Sequence, residues 1–131
     1  MEICYRFGFD AAHYFGSYPE GHLYRGMHGH SFQVEVALEG EPDLRTGFVA
    51  DFGELERACA ELRAALDHRL LNEIEGLGQP SLENLALWFW RQLAARFAVL
   101  ARVTVRRDSS GQSCTYRGPG NRTVGPLTTG Q

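Results

Sequence analysis

From Ile3 to His13 the chain alternates, with Ile3, Tyr5, Phe7, Phe9, Ala11 and His13 on one side of an extended backbone. That is the period-two pattern of a half-buried strand. Residues 14–27 carry Gly16, Pro19, Gly21 and Gly26, the punctuation of a long loop. Alternation resumes with His30, Phe32, Val34, Val36 and Leu38, while Gln33, Glu35 and Glu39 face the other way. After Gly40-Glu41-Pro42-Asp43 and Gly47 the period lengthens, and Phe52, Leu55, Cys59, Leu62 and Leu66 recur at steps of three and four. The spacing predicts a helix with Asp51 as its N-cap. A second helix is expected from Pro80-Ser81, its stripe formed by Leu82, Leu85, Phe89, Leu93 and Phe97 and widened by Ala86, Trp90 and Ala94. Val103 and Val105 mark a third strand, and Gln112 to Arg117 a fourth beyond the turn at Gly111. The order ββααββ predicts an α+β domain, a mainly antiparallel sheet with the helices on one face. Residues 1–118 form one expected domain and 119–131, rich in Gly, Pro and Thr, a flexible tail.

Composition narrows the function. With 131 residues, 44 % of them hydrophobic, the chain suits one compact core. Thirteen basic residues against sixteen acidic ones, a formal net charge of -3, leave no polyanion footprint, so nucleic acid is not an expected partner. No stretch approaches the roughly 20 apolar residues that span a bilayer, and Met1 to Arg6 enters a strand pattern without a signal-peptide core, so a cytoplasmic protein is expected. Cys4, Cys59 and Cys114 are odd in number and lack CxxC spacing, which suits reduced, structural thiols. Asn121-Arg122-Thr123 matches a glycosylation sequon, which without a secretion signal carries no expectation of use. A four-stranded sheet leaves edges to be covered, and a symmetric oligomer would cover them.

His28-Gly29-His30 places two imidazoles on the same side of an extended chain, with Gly29 leaving room between them. His13 has the parity of its own strand's apolar face, so pairing of the first two strands would bring three imidazoles to one end of the sheet. Three neutral His ligands suit Zn²⁺ and leave a fourth position open, as at catalytic zinc. Taken alone, His28 and His30 are equally well read as hydrogen-bonded histidines at a strand end.

Several segments recur in order from about residue 3 to 118: Phe9-Asp10-Ala11-Ala12-His13, Glu20-Gly21-His22, His28-Gly29-His30-Ser31-Phe32 and Gly47-Phe48-Val49-Ala50-Asp51-Phe52. Leu66-Asp67-His68-Arg69-Leu70-Leu71-Asn72, Glu83-Asn84-Leu85-Ala86 and Tyr116-Arg117-Gly118 follow them. Together they resemble the 6-pyruvoyl tetrahydropterin synthase family, most nearly its bacterial 6-carboxytetrahydropterin synthases. The resemblance implies the tunnelling fold, with subunits around a barrel, usually as two stacked trimers. It implies Zn²⁺ held by His13, His28 and His30, with His22 a loop residue near the entrance. The implied substrate is a small dihydropterin such as 7,8-dihydroneopterin triphosphate, and the implied activity that of a lyase.

Such chemistry needs an acid and a base within hydrogen-bond reach. Asp67-His68 matches the family's Asp–His pair, with the carboxylate orienting the imidazole and favouring its charged form. On local sequence alone, His68 is better read as a histidine near the last turn of a helix, favoured there by the dipole, and it is the surrounding resemblance that reverses this. Relatives usually carry Cys four residues before the first His of the HGH motif, and here Tyr24 stands in that place. A phenol titrates near ~10 against ~8.5 for a thiol, so Tyr24 is the poorer base unless zinc or Arg25 lowers its pKa. The family anchors the pterin's donor pair with a Glu just after the third strand. Counting forward puts Arg107 there and counting back from Tyr116 puts Asp108 there. Arg cannot accept, so Asp108 is the expected anchor, with a turn residue as its alternative reading. Glu83 is the other expected substrate-binding residue. Loss of the usual thiol leaves a second expectation open, a silent pterin-binding module that keeps the metal site.

Overall fold

Two twelve-residue strands, β1 (Glu2–His13) and β2 (His28–Glu39), pair antiparallel along their whole length in the computed structural model, which describes residues 1–120. β3 (Leu100–Arg107) and β4 (Gln112–Tyr116) extend the sheet in the order β1-β2-β3-β4, every pair antiparallel. Between β2 and β3 run α1 (Phe52–Leu66) and α2 (Leu82–Ala94). The α+β expectation of a four-stranded antiparallel sheet with two helices is met. The expected tail lies, from residue 121 onward, outside the described residues, as does the sequon at Asn121.

Local chemistry explains the helix boundaries. The Asp51 carboxylate accepts from the Gly53 N–H and the Ser81 hydroxyl from the Asn84 N–H, each satisfying a donor that the first turn leaves free. α1 packs on β1, and α2 on β3 and β4. Phe9, Phe32, Val34, Val36, Val103 and Val105 meet Leu55, Leu66, Leu85, Phe89 and Leu93 in the core. Phe52 departs from its expected stripe: as the first residue of α1 it stays exposed, and Leu55, Ala58, Cys59 and Leu66 bury instead. Phe97 lies past the end of α2 yet still caps the core.

The far face of the sheet is polar. Glu35 pairs with Arg6 and Arg102, each at 2.7 Å, and Arg102 reaches Glu2 at 2.8 Å. All three cysteines are free, and burial pushes the Cys59 thiol up to about 12, which makes it inert at neutral pH. Among the described residues no helix is long and apolar enough to cross a membrane.

Candidate metal centre

Strand register builds the centre. His13 pairs with His28 and Ala11 with His30. The three imidazoles therefore share the helix-facing side at one end of β1 and β2. Their rings stand 4.6, 5.0 and 4.9 Å apart and nearly perpendicular, each presenting one ring nitrogen within 4.8 Å of the others. All three Nε2 atoms are buried without a hydrogen-bond partner. The other ring nitrogens explain why. His13 Nδ1 donates to the Pro80 carbonyl at 3.0 Å and His28 Nδ1 to the Gly26 carbonyl at 2.7 Å. A carbonyl can only accept, so the proton sits on Nδ1 and the Nε2 lone pair points into the cluster. Burial lowers His13 to about 4; the Pro80 bond opposes this, and His28, His30 and Arg107 add to it. Burial, Arg107 and His28 lower His30 as well. Three imidazoles converging with partnerless Nε2 atoms are a donor set suited to a divalent metal of the zinc class.

Gly29 is not what makes room for the rings. Its side points to the opposite face, where a Cβ would make only ordinary contact with the Ala11 carbonyl at 3.6 Å.

A cavity of about 270 Å³ is lined by Phe15, Tyr18 and Tyr24 of the loop, by Ser81 and Glu83 at the start of α2 and by Arg107 of β3; ring contacts of Phe15 with His13 and of Tyr24 with His28 set it beside the imidazoles. The loop of residues 14–27 is held in shape by Phe15 N–H to the Tyr24 carbonyl at 3.0 Å, and by Arg25 donating to the carbonyls of Gly16 and Tyr18. Arg25 is thereby turned to the backbone. The Tyr24 ring stacks on His28 at 5.7 Å, and His22 stacks on Tyr18 at 4.2 Å in the exposed part of the loop.

Glu83, one of the two residues expected to bind substrate, lines this cavity, and Asp108, the expected pterin anchor, does not. Asp108 begins an exposed 3₁₀ turn (Asp108–Ser110) and pairs with Arg106 at 3.0 Å. Arg107 takes the inward place because it shares the parity of the buried Val103 and Val105. That parity was available in the sequence. Gln112, paired with Arg107 across β3 and β4, also lines the cavity and carried no sequence signal.

Asp67 and His68 stand elsewhere. The chain leaving α1 runs beside β1, with the His68 N–H donating to the Asp10 carbonyl and the Ala12 N–H to the Arg69 carbonyl. The Asp67 carboxylate accepts from the Asp10 N–H at 2.9 Å, the His68 ring at 3.0 Å and Arg63 at 3.2 Å, and these partners, the Asp10 N–H first, hold it below the usual carboxylate range. His68 is exposed and opens onto a second cavity of about 370 Å³ with Asp10, Ala12 and Gly29. Asp10 and Ala12 alternate with Ala11 and His13, so this cavity is on the sheet's other face, and the two cavities share no lining residue.

A three-imidazole site at the end of an antiparallel sheet backed by two helices defines an α+β protein equipped to hold a metal ion. The profile of 6-pyruvoyl tetrahydropterin synthase matches residues 2–119, and the chain belongs to that family of pterin side-chain-processing enzymes. It is 41 % identical over 86 residues to a dihydroneopterin monophosphate aldolase of Pyrococcus furiosus, covering 66 % of this chain and 68 % of the relative. It is 36 % identical over 99 residues to a 6-carboxy-5,6,7,8-tetrahydropterin synthase of Synechocystis, covering 71 % and 75 %. The solved 6-pyruvoyl tetrahydropterin synthase of Caenorhabditis elegans superposes with a TM-score of 0.80 at 24 % identity, over 91 % of this chain and 96 % of that one, a likeness of fold.

Proposed function

We propose that this chain is a cytoplasmic, zinc-dependent lyase that works on the side chain of 7,8-dihydroneopterin triphosphate or a related dihydropterin, in the manner of 6-carboxytetrahydropterin synthase. The observation that carries the reading is the convergence of three partnerless imidazole nitrogens beside an aromatic-walled cavity. Zn²⁺ held by His13, His28 and His30 would supply Lewis acidity toward the oxygen atoms of the substrate's side chain. The aromatic wall offers a face to a flat heterocycle, and Glu83 can accept from the pterin's amide N–H and amino group.

In this reading Tyr24, stacked on His28, supplies a phenol beside the metal ligands. Asp67 and His68 face away from the cavity of their own chain, so they act on a substrate held by a second copy, within a trimer or hexamer. The Pyrococcus relative's name adds cleavage of a monophosphate to the candidates. In that retro-aldol step the C2′ hydroxyl loses its proton and becomes an aldehyde, the C1′–C2′ pair enters N5=C6, and C1′ regains a proton.

The second reading, a silent pterin-binding homologue, is favoured by Tyr24 alone, which stands where the family's thiol is expected. Incubating the zinc-loaded protein with dihydroneopterin mono- and triphosphate and identifying products by mass decides. Turnover of either supports the lyase, binding without turnover supports the silent homologue, and absence of binding defeats both.

A further inference from the structure

We infer that Arg107 reads the O4/N5 edge of the pterin ring and stabilises the charge that gathers on N5 as the side chain is cleaved. This rests on the function proposed above. Arg107 is half-buried in the cavity wall, and its Nε is buried without a hydrogen-bond partner. Its neighbours on β3 are engaged: Arg106 pairs with Asp108, and Arg102 with Glu2 and Glu35. No carboxylate pairs with Arg107 among the described residues, although Glu83 lines the same cavity.

Arg107 continues β3 past the Val34–Val105 pair, on the face and toward the end of the sheet where His30 stands on β2, and Glu83 enters the same cavity from the first turn of α2. A phosphate dianion matches such a wall poorly, because Glu83 repels it. A neutral heterocycle with acceptors at one edge and donors at the other matches both residues.

The guanidinium only donates, and the N–H groups of its two outer Nη atoms form a parallel fork at the end of the side chain. Pterin has one edge with two neighbouring acceptors, O4 and N5, the counterpart of the O6/N7 edge of guanine. N5 is bonded to C6, which bears the side chain. A substrate whose side chain lies at the imidazoles therefore turns this edge to Arg107 and its N3–H and amino group toward Glu83. When a bond at C1′ breaks, its electron pair moves into N5=C6 and the negative charge falls on N5, against the fork.

The test is equilibrium binding of neopterin and of 5-deazaneopterin, which lacks only the N5 acceptor, to the zinc-loaded protein and to Arg107→Met and Arg107→Lys. The parent is expected to prefer neopterin by about 10- to 100-fold, the size of a bidentate contact. Arg107→Met should lose that preference, and Arg107→Lys, which keeps the charge without the fork, should recover only part. Equal binding of the two ligands by the parent overturns the inference without touching the proposed function, and needs no variant to fold. A preference retained in Arg107→Met overturns it as well. Failure of the parent to bind any pterin removes the proposed function and this inference together.

Discussion

Tyr24 and His13 show how far single side chains set the chemistry. If the Tyr24 phenol carries a proton, Tyr24→Phe keeps its stacking on His28 and lowers kcat by roughly 10²–10⁴ with zinc content unchanged. Steady-state kinetics with elemental analysis checks this, and an unimpaired variant would leave Asp67 and His68 as the named proton carriers. His13 carries a pH dependence of stability. Its folded value, about 4, lies below the ordinary 6.5, so below pH 6.5 the unfolded chain binds a proton that the folded chain refuses. Stability of the metal-free protein should therefore fall as pH drops from about 6.5 to 4, by about 2–4 kcal/mol in all. Urea denaturation across that range should show the decline in the parent and a flatter line in His13→Gln. The three imidazoles were legible because strand parity fixes them, whichever residues lie between. Arg107 shares the parity of Val103 and Val105 and was legible in the same way, but a count from Tyr116 backward, across the turn at Asp108–Ser110, competes with it.

At the scale of elements, the end of α1 is the most constrained segment. His68 is the only non-glycine with positive φ among the described residues, at 61°. It follows the Asp67 C-cap, where glycine is the usual occupant. A side chain there costs about 1 kcal/mol, strain of the kind that collects at functional positions. His68→Gly should accordingly be more stable than His68→Ala by about 1 kcal/mol while both lose turnover. Chemical denaturation of the two variants measures it, and the reverse order would show that the backbone is not strained. The long elements were readable from periodicity and caps, as Asp51 and Ser81 illustrate. The 3₁₀ turns Leu71–Glu73 and Asp108–Ser110 span three residues each, too few to show a period, and the second of them carried Asp108 out of the site.

For the whole molecule, the decisive feature is that the imidazole cluster and the Asp67–His68 pair open onto opposite faces of one sheet. Nothing in the sequence showed this, because it depends on the path of the chain leaving α1 along β1. If the reaction joins both groups, His28→Ala and His68→Ala proteins should each be inactive, and dissociating and reassociating them together should restore a fraction of parental turnover. Mixtures no more active than their components would confine catalysis to one chain. The carbonyls of Gly26 and Pro80, which fix the tautomers of His28 and His13, have a further consequence. They belong to the two chain segments that supply Tyr24 and Ser81 to the cavity lining, so a bound metal would be a peg to which both are tied. Stripping it with a chelator should speed amide hydrogen exchange in 14–27 and around 80 together and leave the centre of β2 protected, so that cofactor supply would also set how firmly the cavity's walls are held.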